Sequence, residues 1–196
     1  MTLKHDEQFI KDYFQEFIQG FIFNDIEKSI NVGTNFMIAL ALMSYTEHLG
    51  SLITGKLGIN GFSESNFNKA LEYFDFNGDT NYYKNFKVKD NKSGKELNIY
   101  KIFRCGLVHE YFPKGLEKMT IHNEPSYLPS TDVGISWVDF GSERRLRFHC
   151  NAYFRDFKNA FNKYKDDLLV KKDSILLQNF DNAINNVEGY DIEEIV

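Results

Sequence analysis

Residues 36–45 read FMIALALMSY, apolar on every side of any helix they form. A helix with no face to give to water must lie in the middle of a bundle, covered by neighbours all round. The spacing predicts that helix over about residues 35–54. It opens after the Asn31-Val-Gly33 break, with Thr34 or Asn35 as cap, and closes at Gly55 and Gly58. Thr46, Glu47 and His48 follow the apolar run, which leaves it well short of the roughly 18 residues a membrane span needs. A bundle built on this helix needs apolar stripes elsewhere to cover it. Phe9, Ile10, Tyr13, Phe14, Phe17, Ile18 and Phe21 supply one at three- and four-residue steps over about residues 6–23. Phe154, Phe157, Phe161, Tyr164 and Leu168 supply another, and a last helix is expected from Asp173. Shorter helices are expected from Ser63 or Ser65 to Phe74, and over about 95–112, where Pro113 stops the chain. The 19 Phe and 11 Tyr give such a core its bulk.

The period changes from about 3.6 to 2 after residue 118. Residues 119–123 read as a strand, and 134–140 with 144–150 read as a hairpin turning at Gly141-Ser142. In its second arm Leu146, Phe148 and Cys150 alternate with Arg145, Arg147 and His149, so one face is apolar and the other basic. Residues 82–95 read as a polar loop. The expected fold is therefore mainly α: a single domain over 1–196, a helical bundle with a small β-hairpin or three-stranded antiparallel sheet inserted at about 118–150. The charged N-terminus has no signal-peptide pattern, and two cysteines are too few for a disulfide framework. A cytoplasmic chain with reduced thiols is the expectation, with no membrane partner.

Net charge is −5, unevenly spread. Residues 84–104 and 143–165 each carry seven basic and two acidic side chains. Two basic blocks in an acidic chain exclude a general nucleic-acid coat but allow a local phosphate site, if both fold onto one face. Arg144, Arg145 and Arg147 are either part of such a site or a solvated strand face, and Trp137 is expected in the core.

The chemistry concentrates in residues 100–113, YKIFRCGLVHEYFP. Arg104 and His109 are separated by four residues near a helix end. Arginine is always charged and offers phosphate a planar fork of donors; histidine titrates near neutrality and can move protons. On an ideal α-helix the two would lie roughly 140° apart, so they converge only if the last turn is distorted or each faces a partner across a dimer. Glu47 interrupts the central apolar helix, where a carboxylate is costly unless paired. It either orients Arg104 or His109, or forms a structural ion pair; Arg104 has Glu47 or Glu110 as candidate partners. Cys105 and His109, four apart, also allow a thiol nucleophile with its base or half a zinc site, although a core cysteine fits as well.

The Arg104-Cys-Gly-Leu-Val-His109 motif resembles the HEPN superfamily, whose RNases carry an Arg, four to six residues, then a His near a helix end. The resemblance implies a metal-independent endoribonuclease cleaving single-stranded RNA at a dimer interface, without cofactor, as a toxin or phage-defence component. Arg104 and His109 would be catalytic, with support from Glu47, Cys105 and Glu110, and with Lys101 and Lys114 contacting the RNA backbone. A homodimer through the 95–112 helix is implied, with Gly106 allowing close approach, and an antitoxin or other protein is an allowed partner. Many members place a polar residue after the Arg, where this chain has Cys105, a weak donor and acceptor. That favours the alternative, a non-catalytic HEPN-like dimeric module binding a protein, nucleotide or RNA.

Overall fold

A computed structural model describes residues 4–90, 92–110, 119–122 and 132–188, with the side chains of Glu110 and Phe140 left out. Lys114 and Pro113 lie outside the described residues. The first apolar stripe forms α1 (Glu7–Asp12), a wide π-type stretch π1 (Tyr13–Phe23) and α2 (Asn24–Val32). Asp6 caps it by accepting from the Phe9 N–H, and Gly33 ends it in the left-handed conformation. The all-apolar segment is α3 (Asn35–Thr54), closed by left-handed Gly55. By length and apolarity α3 would also suit a membrane crossing, but most of it is buried inside the protein. It is the hub: α2, α4 (Ser63–Ala70), α6 (Cys150–Leu169) and α7 (Ser174–Glu188) all pack on it.

The polar 82–95 segment is more ordered than its composition predicts. A short helix α5 (Tyr82–Asn85) leads into β1 (Lys87–Lys89), which pairs antiparallel with β2 (Glu96–Asn98). The helix expected from residue 95 therefore begins after β2. It consists of two π-type turns, π2 (Tyr100–Arg104) and π3 (Gly106–Glu110).

The inserted sheet is mixed rather than wholly antiparallel. The expected hairpin forms from β4 (Ile135–Phe140) and β5 (Glu143–His149), but β3 (Met119–His122) runs parallel to β5 on its other edge. In this register Ile121, Phe148 and Ile135 align across one face and Thr120, Arg147 and Ser136 across the other. The apolar face turns to the helices. Phe148 lies 5.1 Å from the Tyr153 ring and 5.2 Å from Phe103. One buried clamp ties the sheet to the bundle. The Tyr83 hydroxyl donates to Asp156 at 2.5 Å and accepts the Gly134 N–H at 2.9 Å. Burial raises the Asp156 carboxyl, while Tyr83 and the Arg155 guanidinium act against that rise.

Two helices approach most closely at Gly50. An added Cβ there would stand 1.7 Å from the Asn66 carbonyl oxygen. Around this contact Asn66 donates to Ser51 Oγ and accepts from Thr54 Oγ1. Gly50→Ala is expected to force α3 and α4 apart and to destabilise the protein by about 3 kcal/mol, the upper end of overpacking costs. A urea titration reads this as a lower midpoint; an unchanged midpoint would show that the two helices separate freely.

Candidate functional site

The central helix is not apolar all round along its full length. Ser44, Glu47, His48 and Ser51 are spaced i, i+3, i+4, i+7 and form one polar stripe on α3. A stripe of that kind inside a bundle needs polar neighbours. Glu47 finds one in Arg104, whose Nε donates to Oε2 at 2.8 Å; both side chains are less than a fifth exposed. Charge-assisted bonds of this length hold a guanidinium in one orientation. Among the described side chains, which do not include that of Glu110, Glu47 is the carboxylate paired with Arg104. His48, one residue on, bonds through Nε2 to the Tyr13 hydroxyl at 2.9 Å and packs 5.7 Å from the Phe17 ring. Burial pushes the His48 imidazole down to about 4 and raises the Tyr13 phenol, so both are neutral near pH 7.

A groove of about 340 Å³ runs along this stripe. Glu47, His48 and Arg104 line it together with Lys56 and Asn60 from the turn between α3 and α4 and Ser63 at the start of α4. Lys56 Nζ sits 3.7 Å above the Phe62 ring, a cation–π contact. Glycines make the turn possible: Gly58 and Gly61 have φ of 75° and 85°.

The wide winding of the motif helix bears on the Arg104–His109 geometry. In a π-type turn the N–H of residue i+5 bonds the carbonyl of residue i, which stacks residues five apart. The Cys105 N–H bonds the Tyr100 carbonyl in this way. The same winding resumes in π3 after Cys105, so Arg104 and His109 differ in angle by less than the roughly 140° of an ideal α-helix. An ideal α-helix would separate them. His109 is exposed. Among the described residues no group of three or more His, Cys, Asp or Glu is arranged around a metal position.

The other named residues fall in different places. The Cys105 thiol faces the Tyr100 phenol; burial raises that phenol, and the thiol and Glu47 raise it further. Lys101 is drawn to Glu64 at 2.7 Å and does not line the groove. Gly106 is buried among this chain's own residues, so it does not present the open surface for close approach that was expected of it. The Glu110 side chain and Lys114 lie outside the described residues. Cys150 donates toward the Asn35 carbonyl, and burial pushes its thiol up to about 12, far from a nucleophile's range. His149 belongs to neither strand face as a free base: its Nδ1 accepts the Ala152 N–H and caps α6. Arg147 leans on Asp132 and Ser136, and Arg144 lies 5.5 Å over the Trp137 ring. Lys56 and the groove-facing role of His48 were not anticipated. The 44/47/48/51 spacing was the available signal for the groove; nothing in the turn marked Lys56.

His48 gives a direct pH test. Its folded-state value lies below the unfolded value near 6.5, so the unfolded chain binds more protons between about pH 6.5 and 4. Stability is expected to fall as pH drops through that window, and more steeply than in His48→Gln. In parallel, the His48 ring resonances in an NMR titration should stay fixed from pH 8 to about 5.5. Movement centred near 6.5 would contradict the half-buried, hydrogen-bonded Tyr13–His48 arrangement. Searches of protein-family models, curated proteins and solved structures returned no match to this chain.

Proposed function

We propose that this chain is a HEPN-type, metal-independent endoribonuclease that cleaves single-stranded RNA as a homodimer. The observation that carries the reading is the Arg104 guanidinium, held at 2.8 Å by Glu47 in a π-wound segment that continues to His109. The proposed reaction is transesterification. The 2′-oxygen attacks the adjacent phosphorus while a neutral His109 takes its proton. The bond from phosphorus to the 5′-oxygen breaks, and a protonated His109 of the second subunit gives the leaving oxygen its proton. Arg104 stabilises the charge that builds on the phosphorane. Products are a 2′,3′-cyclic phosphate and a 5′-hydroxyl. Two subunits are needed because one Arg and one His cannot fill every role. Their contact would use the outward side of the 99–110 segment, which carries Lys101 and His109, and not Gly106. A toxin or phage-defence role in the cytoplasm, with an antitoxin partner, belongs to the same reading.

The alternative is a non-catalytic HEPN-like dimeric module that binds a protein, nucleotide or RNA. Its specific support is Cys105, whose thiol is turned to Tyr100 at the position where a polar residue would serve the site.

Single-stranded RNA incubated in EDTA with the wild type, Arg104→Ala and His109→Ala separates the two. The nuclease reading expects cleavage by the wild type, reduced about 10²–10³-fold in Arg104→Ala and about 10²–10⁴-fold in His109→Ala. Equal rates in all three, or none in any, would remove it. RNA bound without cleavage by the wild type would select the module.

A further inference from the structure

We propose that the groove beside Arg104 seats the nucleotide adjacent to the cleaved phosphate of an RNA strand, with the Lys56 ammonium on that nucleotide's phosphate. This rests on the nuclease reading for the word "cleaved", but the groove's preference for a phosphodiester stands on its own observations.

Three sources of positive potential converge there. Lys56 lines the groove and makes no ion pair with a carboxylate among the described residues, unlike Lys69, Lys84 and Lys101, which are all held by Glu72 or Glu64. Its ammonium is positioned instead by the Phe62 ring. Arg104 lines the same groove. The third source is the start of α4. Phe62 is its N-cap and offers no side-chain cap, so the first N–H groups of the helix keep their hydrogen-bonding capacity beside Ser63.

The lining also limits the charge of the occupant. Glu47 lines the groove paired with Arg104, and His48 is neutral. Two cations and one carboxylate leave a net charge of +1, which matches one phosphodiester better than a free phosphate dianion. The volume of about 340 Å³ lies near the lower end of ligand clefts, roughly 300–1,000 Å³, the scale of one nucleotide. Asn60 and Ser63 place amide and hydroxyl groups where a ribose or base edge can bond them. Gly58 and Gly61, both lining the groove, adopt left-handed backbone that side-chain-bearing residues rarely take. The contact is to phosphate, so it carries no sequence preference.

The test uses the full chain, a fluorescent 2′-O-methyl RNA decamer that cannot be cleaved, and the matching all-ribose strand. Lys56→Gln is expected to raise Kd for the decamer about tenfold, the worth of one charge-assisted bond. It should lower the slope of log K against log salt by about 0.7. It should raise KM for the cleavable strand more than it lowers kcat. Lys56→Arg should restore most of the binding, and Lys11→Gln, which removes a charge paired with Glu7 on α1, should leave Kd unchanged. Thermal melts confirm that each variant is folded. Wild-type Kd and salt slope in Lys56→Gln would overturn the groove assignment while leaving cleavage by Arg104 and His109 intact. Lys56-dependent binding without cleavage by the wild type would keep the groove and overturn the nuclease. Absence of both in the wild type would overturn both.

Discussion

The structure depends on one constraint: α3 must be enclosed, yet it carries a carboxylate. Its apolar sides dictate that α2, α4, α6 and α7 close around it. Gly50 lets α4 come within backbone contact, which no larger residue allows. Glu47 is the exception on this helix. A carboxylate so little exposed is tolerable only beside a positive charge and a donor. Arg104 is that partner, and the requirement fixes how the motif helix lies against α3. The polar stripe thus does for the site what the apolar faces do for the core: it determines which element must come next to which.

Much of this arrangement can be read from residue order. The all-apolar run, the glycines at 33 and 55 and the Phe stripes identify the bundle because each is a strong local signal with a period or a φ requirement behind it. The pairing of Glu47 with a cation follows from the cost of an unpaired carboxylate, although the sequence leaves two arginine–glutamate pairings open. What escapes is set by tertiary contact. Three-residue strands such as β1 and β2 are too short to show a period of two. The parallel approach of β3 to β5 depends on the path of the intervening chain and leaves no mark in either strand. His149 sits in an alternating strand pattern, but its ring is the cap of α6. The π winding of residues 100–110 is equally silent in the sequence, although the five-residue step from Arg104 to His109 acquires a geometric sense only through it.

The sheet insertion has a role that its position in the chain does not announce. Phe103 precedes Arg104 and is fully buried; its ring lies 5.2 Å from Phe148 on β5. From Phe148 the contacts run through Tyr153 to Phe74 and Tyr83, each step between 5.1 and 5.3 Å. The Tyr83 hydroxyl then closes the path on Asp156 and Gly134. This chain of rings lies behind the motif helix and packs it against the bundle from the side opposite the solvent. Aromatic contacts of this kind contribute about 0.5–1.5 kcal/mol each beyond burial, and a connected row resists displacement of any single member.

Arg104 is consequently held from two directions, by Glu47 at its guanidinium and by the aromatic row behind its backbone. His109 is exposed in the last described turn of the helix, and among the described residues no side chain bonds it. Among those residues the fixed guanidinium and the imidazole are therefore an asymmetric pair. For a group that transfers protons, precise placement has to come from somewhere, because a displacement of an ångström costs orders of magnitude in rate. In the dimeric nuclease that placement would come from the facing subunit, so assembly and proton transfer would be one requirement rather than two. In a binding module no such demand exists, and an exposed histidine at a helix end needs no further support. The support around His109 in the assembled protein therefore distinguishes the two readings on structural grounds alone.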